Sequence, residues 1–257
     1  TADLRAATRG AHPQRTPKDL MLIVLPNAFG DAATNMAIDS ALLETTTGGT
    51  AMLRHYGWTE PSITFGYSQR FEEVIATLGD ELSLCRRTTG GGIVDHRNDW
   101  TYSLVLHVGL TAAQGSSPDL YEKIHASIAT ALKELGCSTR LAPCPRQCNE
   151  APPRSEGPDQ CFIQPVMNDV LTHEGRKIAG AAMKRTRRGL LIQGSIDRAA
   201  LEETLDFNSF QNHFTTALSE SLALPQEQPE DIRPFFNSEI IEREKEKFSS
   251  ADWTKRR

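Results

Sequence analysis

Apolar positions recur along the chain in short blocks of two kinds, and the blocks predict the order of elements. Residues 1–20 are polar, carry Arg5, Arg9, Arg15 and Lys18, and hold neither a two-residue nor a helical period, so they read as a flexible tail before a folded region over 21–257. MLIVLP, from Met21, is a short apolar run of strand type. Asp31 stands as an N-cap before AATNMAIDSALLE, in which Met36, Ile38, Ala41, Leu42 and Leu43 fall at helical spacings. AMLRHYGW and PSITFGYSQ, rich in β-branched and aromatic residues, predict two strands divided by a turn at Trp58-Thr59-Glu60-Pro61.

A short helical piece ends near Leu78, and WTYSLVLHV is a further strand. Ser117 and Pro118 open a second long helix, in which Leu120, Ile124, Ile128, Leu132 and Leu135 form one apolar stripe and Gly136 supplies the stop. From Pro143 to Pro158 no period holds, and a loop beyond about 15 residues is usually functional or mobile. VMNDVLTHEGRKIAGAA predicts a hairpin turning at Glu174-Gly175, followed by a strand in RGLLIQGSID. SFQNHFTTALSESLAL and the charged EIIEREKEKFSS close the chain as helices. There is no internal repeat and no coiled coil. The interleaving of strands and helices gives an α/β or α+β fold in one compact domain.

Composition narrows the function. A length of 257 residues leaves room for a sizeable core. With 28 basic against 33 acidic residues the net charge is −5, which gives nucleic-acid binding no electrostatic support. No stretch approaches the roughly 18 apolar residues of a membrane span, so a soluble protein is expected. Five cysteines, at 85, 137, 144, 148 and 161, are an odd number and argue against a secreted disulfide framework. The expected setting is the cytoplasm, with organellar import through the Arg-bearing tail left open.

Two segments carry candidate chemistry. In Arg86-Arg87-Thr88-Thr89-Gly90-Gly91-Gly92-Ile93-Val94-Asp95-His96, three bare glycine N–H groups and two guanidinium forks suit an acidic or activated acyl ligand; a glycine hinge with two solvated arginines is the alternative. In Gly175-Arg176-Lys177-Ile178-Ala179-Gly180-Ala181-Ala182, a lysine among small residues has room to stand beside a ligand and offset a developing oxyanion, or is a surface lysine after a turn. Cys144, Cys148 and Cys161 lack the second pair that a zinc site requires, so no metal is expected, and no nucleophile elbow occurs.

Together and in this order, RRTTGGGIVDH and GRKIAGAA…RRGLLIQGSI resemble the lipoate-protein ligase A and octanoyltransferase family, with the biotin/lipoate ligase catalytic fold. TNMAIDSALLE, YGWTEPSITFGYSQ, TYSLVL and EKFSSADWTKRR extend the likeness over most of 21–257. The resemblance implies a mixed central sheet with a small second sheet and flanking helices, in a monomer. It implies that Arg87, Thr89, Gly90, Gly91 and Gly92 line the acyl pocket, that His96 closes the loop, and that Lys177 contacts the acyl carbonyl. Gly180 and Ala182 match small residues beside the ligand, Asp169 the aspartate near the adenylate in ligases, and Tyr56, Trp58 and Gly66 the surroundings of the acyl tunnel.

Two chemistries occur in the family. Transferases take an octanoyl group from acyl carrier protein without a cofactor, in one branch through a cysteine thioester, and Cys161-Phe162 stands where that branch has its Cys-Phe pair. Ligases activate free lipoate or octanoate with ATP and Mg²⁺ and pass it on from acyl-AMP. Either way the acceptor is a lysine of a lipoyl-domain protein, of the 2-oxoacid dehydrogenase E2 or glycine cleavage H type. The chain departs from pattern at Gly92, where cysteine-type transferases carry Arg, at Gln193 for a frequent His, at Met183 for Gln or Tyr, and at Arg97-Asn98-Asp99 for the ligase Leu-Gly-Asn. These changes motivate a third reading, a non-catalytic relative that binds a lipoyl domain or an acyl ligand. With the sequence stopping at Arg257, no accessory lobe is expected. The preferred expectation is octanoyl or lipoyl transfer with Cys161 as acyl carrier and Lys177 steadying the carbonyl oxygen.

Overall fold

A computed structural model describes residues 20–78, 83–143, 165–202 and 205–256. In chain order its strands are β1 (Met21–Val24), β2 (Ala28–Gly30), β3 (Thr50–Trp58), β4 (Ser62–Phe65), β5 (Ser83–Arg86), β6 (Val94–Asp95), β7 (Asp99–His107), β8 (Thr139–Leu141), β9 (Val170–Thr172), β10 (Lys177–Arg185), β11 (Gly189–Asp197) and β12 (Gln226–Glu227). The helices are α1 (Ala32–Thr45), α2 (Phe71–Leu78), α3 (Thr111–Gln114), α4 (Ser117–Glu134), α5 (Phe207–Leu222), α6 (Ser238–Ser249) and α7 (Ala251–Thr254). The main sheet runs β12-β1-β3-β7-β11-β10-β9-β8 with β2 beside β3, and a small sheet runs β5-β4-β6.

Side-chain alternation divides the main sheet between two helical layers. Ala51, Leu53, Leu104, Leu106, Leu190 and Ile192 join the core under α4 and α5, with Trp100, Tyr102, Phe210 and Phe214. Met52, Val105 and Leu191, one residue out of step, pack with Leu42 and Leu43 of α1 on the opposite side. With both faces covered, β7 and β11 are buried almost end to end.

The expected helix ends are present. Asp31 caps α1 through its carboxylate and the Thr34 N–H, 2.7 Å apart. Ser116, one residue before the expected Ser117, caps α4 by accepting from the Asp119 N–H, and Gly136 follows the helix with φ 84°. The hairpin at 174–175 turns through Gly175 at φ 95°. AMLRHYGW and PSITFGYSQ form the two expected strands on either side of a turn, but the strands do not pair with each other. One edge of β3 is taken by β1 and β2 and the other by β7, so β4 has no open edge there and pairs with β5 and β6. The tail over 1–19 and most of the long loop, 144–164, lie outside the described residues. Among the described residues no helix is long and apolar enough to cross a membrane.

Gly194 of β11 faces Tyr102 of β7, and a Cβ at 194 would stand 2.3 Å from the phenol ring. Gly194→Ala is therefore expected to cost about 2 kcal/mol, in the usual range for overpacking a core, measured by urea unfolding. An unshifted midpoint would show that the ring yields freely.

Candidate active site

Lys177 opens β10, where the register against β9 slips between Lys177 and Ala179 and re-aims the side chain. It is only 5% exposed, and its ammonium lies 2.7 Å from Oδ2 of the fully buried Asp169. That carboxylate also accepts from the Tyr121 hydroxyl at 2.6 Å and from the Val166 N–H at 2.7 Å. Tyr121 accepts in turn from the Ala181 N–H at 3.0 Å, which ties α4 to β10. The end of the lysine lies over Gly180, where a Cβ would come within 2.7 Å of Nζ. The reading of Lys177 as a surface lysine is thus overturned, and the small residue beside it is a steric requirement.

The glycine loop is built around a guanidinium. Arg87 donates to the Thr64 hydroxyl at 2.7 Å and to the carbonyls of Gly90 and Gly92 at 3.0 and 2.8 Å. Gly91 has φ 85°, and Gly66 packs so closely on it that a Cβ at 66 would meet the Gly91 carbonyl oxygen at 2.0 Å. Arg86 faces elsewhere. It donates to the carbonyls of Tyr67, Gln69 and Thr254 and lies over the Phe65 ring, clamping the C-terminal segment. Both arginines are buried, so the hinge with solvated arginines is corrected too.

His96 bonds the Thr64 hydroxyl through Nε2 and Asp99 through Nδ1, each at 2.7 Å, and Trp58 stacks on its ring at 3.9 Å. The Asp99 carboxylate only accepts, so Nδ1–H donates to it. Asp99 also accepts from Thr101 and Ser195. Gln193 accepts from the Thr89 hydroxyl and donates to Asp39, both at 2.8 Å. Asp39 is fully buried and further gathers Arg54, Tyr56 and Ser103. The Gln193 amide thus both accepts and donates, linking the glycine loop to Asp39.

Between these groups runs a narrow slot of about 40 Å³, lined among others by Met36, Tyr56, Val94, Arg87, Gly91, His96, Gly180, Ala182 and Gln193. Of the residues picked out by sequence, Tyr56, Arg87, Gly91, His96, Gly180 and Ala182 face it directly. Thr89 supports it through Gln193, Gly90 and Gly92 hold Arg87, Trp58 backs His96, and Lys177 with Asp169 adjoins it at Gly180. Cys161 lies outside the described residues, as do Cys144 and Cys148. Cys85 is buried in the core between α1 and α6, and burial pushes its thiol up to about 12, far from reactivity. Thr64, Asp99, Tyr121 and Asp39 were not picked out. Only Asp39 left a signal, as one of two polar residues at i and i+4, with Asn35, on the buried stripe of α1.

The model of the lipoyl protein ligase A/B catalytic domain matches residues 31–221. The chain belongs to this family. Octanoyltransferase LipM of Kyrpidia tusciae is 34% identical over 197 residues, covering 72% of the chain and 70% of that protein. The LipM of Geobacillus kaustophilus is 34% identical over 192 residues, covering 73% and 68%. Among solved structures, a bi-partite lipoate protein ligase of Thermoplasma acidophilum with its E2 lipoyl domain aligns with TM-score 0.68 at 18% identity, over 92% of the chain and 96% of that one. A lipoate-protein ligase A bound with ATP aligns with TM-score 0.68 at 19% identity, over 92% and 98%. At such identities the structural likeness shows the fold, which is the mixed sheet with a small second sheet that the family resemblance implied.

Within this lipoyl-ligase fold, His125 of α4 props the residue before Asp169. Its Nδ1–H donates to the Asn168 carbonyl at 2.6 Å, holding Asn168 at φ 67°. Burial, opposed in part by that carbonyl, pushes the imidazole down to about 4 from an ordinary 6.5. The unfolded chain therefore takes up a proton below pH 6.5 that the folded chain refuses, and stability falls as pH drops toward 4. Between pH 7 and 5 the loss is about 2 kcal/mol from this group. Urea unfolding of His125→Gln should lack that part of the slope; an identical slope in both proteins contradicts the assignment.

Proposed function

We propose that the chain is a protein octanoyltransferase that modifies the target lysine of lipoyl-domain proteins, with acyl carrier protein as donor and Cys161 as the intermediate acyl carrier. The observation that carries this reading is the 34% identity with octanoyltransferases over 197 residues, set beside a narrow slot whose lining residue Gly180 lies against the Lys177 ammonium. In the first step the Cys161 thiolate attacks the donor thioester carbonyl. Lys177 offsets the charge that develops on oxygen, and the donor thiolate departs and takes up a proton. In the second, the neutral amine of the acceptor lysine attacks the Cys161 thioester, the amide forms, and the cysteine leaves as thiolate while the nitrogen loses its proton. The slot is narrow, and the small residues Gly91, Gly180 and Ala182 along it favour an unbranched acyl chain. The cycle needs no ATP or metal.

The ligase reading has less support, because its relatives enter at identities that speak for the fold alone. In addition, the guanidinium of Arg86 is directed at three backbone carbonyls, away from the slot. The test is acylation of an apo lipoyl domain, read by mass, with octanoyl-carrier protein or with octanoate, ATP and Mg²⁺. Transfer is expected from the carrier without ATP and is expected to vanish in Cys161→Ala. Activity that appears only with ATP, or that survives in Cys161→Ala, contradicts the reading.

A further inference from the structure

The tip of the β10–β11 hairpin reads Lys184-Arg185-Thr186-Arg187-Arg188, four basic residues and no acidic one in a chain of net charge −5. Arg185 is engaged within the chain, its guanidinium donating to the carbonyls of Ala113 and Gly115. Lys184, Arg187 and Arg188 make no ion pair among the described residues. They border a groove with Thr88, Lys247, Glu44 and Glu244. The two glutamates are already answered, Glu44 by Arg243 and Glu244 by Arg243 and Lys247. Beside this groove Arg256 lies over the rings of Tyr67 and Trp253. Burial and the charges of Lys247 and Arg256 push the Lys184 ammonium down, with Glu244 opposing them only in part, so these cations crowd one another. Unanswered like charge at a surface is a field that attracts an anionic partner.

The groove also adjoins the slot. Thr88 lies in its wall immediately before Thr89 and the three glycines, and Lys184 is two residues beyond the slot-lining Ala182. We propose that this basic shoulder docks an acidic protein surface, that of the carrier which delivers the acyl group on a flexible arm. The proposal rests on the thioester-transfer reading. Gly91 is three residue steps from Thr88, a span of up to about 10 Å, which a docked donor bridges with an extended prosthetic arm. An acceptor lysine, with its four-carbon stem, requires its domain to sit over the mouth itself, not at the shoulder.

Arg187→Glu/Arg188→Glu, at two exposed positions, tests this in the full chain. With octanoyl-carrier protein, kcat/KM should fall about 10-fold or more, and the salt dependence of the wild type should flatten, as charged rims govern encounter. With octanoyl-pantetheine, which is uncharged and has no protein surface, the rate should be unchanged, as should KM for the lipoyl domain. Binding of the loaded carrier, titrated without turnover, should weaken in parallel. Equal losses with both donors, an unaltered carrier affinity, or a rise in KM for the lipoyl domain alone overturn the proposal. A wild type that transfers from neither donor would sink the functional reading, and the binding titration would still decide the docking.

Discussion

A charge held out of water sets the terms for the rest of the site. The Lys177 ammonium and the Asp169 carboxylate are both buried, and in such surroundings each is tolerable only through the other and through the hydrogen bonds that complete the pair. Tyr121 and the Val166 N–H supply those bonds on the carboxylate, and each comes from a different part of the chain. The bulge in β10, the left-handed Asn168, the His125 prop and the bare Cα of Gly180 are geometrical consequences of placing this pair beside the slot. Removing one partner of such a pair generally costs about 3–5 kcal/mol, because the other is left buried and uncompensated.

The opposite side of the slot is held by polar contacts of another kind. Asp39 collects Arg54, Tyr56, Ser103 and Gln193, and Gln193 passes the connection to Thr89 of the glycine loop. Arg87 then holds the loop from within, and Thr64 links it to His96. Glycines are needed where backbones or a charged side chain come closest, at Gly66 against Gly91 and at Gly180 against Lys177. A slot with preset dipoles needs little reorganisation when charge develops within it.

Much of this is legible in the sequence where the cause is local. The Asp31 cap, the stripe of α4, the turn at Gly175 and the apolar runs of β7 and β11 are set by neighbours a few residues apart. Partnership is different. That β3 and β4 separate into two sheets depends on β1, β2 and β7 occupying the edges of β3, which no local period records. The burial of Arg86 and Arg87 likewise depends on carbonyls from the 67–69 segment, from Thr254 and from the glycines themselves. Gly180 and Lys177 were found because small residues beside a lysine are a short-range pattern, whereas Tyr121 and Asp99 reach the site from separate elements.

The central claim is that the positioned Lys177 ammonium drives acyl transfer onto the protein. The direct measurement is the single-turnover rate of octanoyl-adduct formation, followed by intact mass after mixing with octanoyl-carrier protein, in the wild type and in Lys177→Met/Asp169→Asn, which removes both charges together and so spares the fold. The account predicts a folded double variant, by its circular dichroism, that forms the adduct at least about 100-fold more slowly, the scale of losing one oxyanion donor. Adduct formation at the wild-type rate would contradict it.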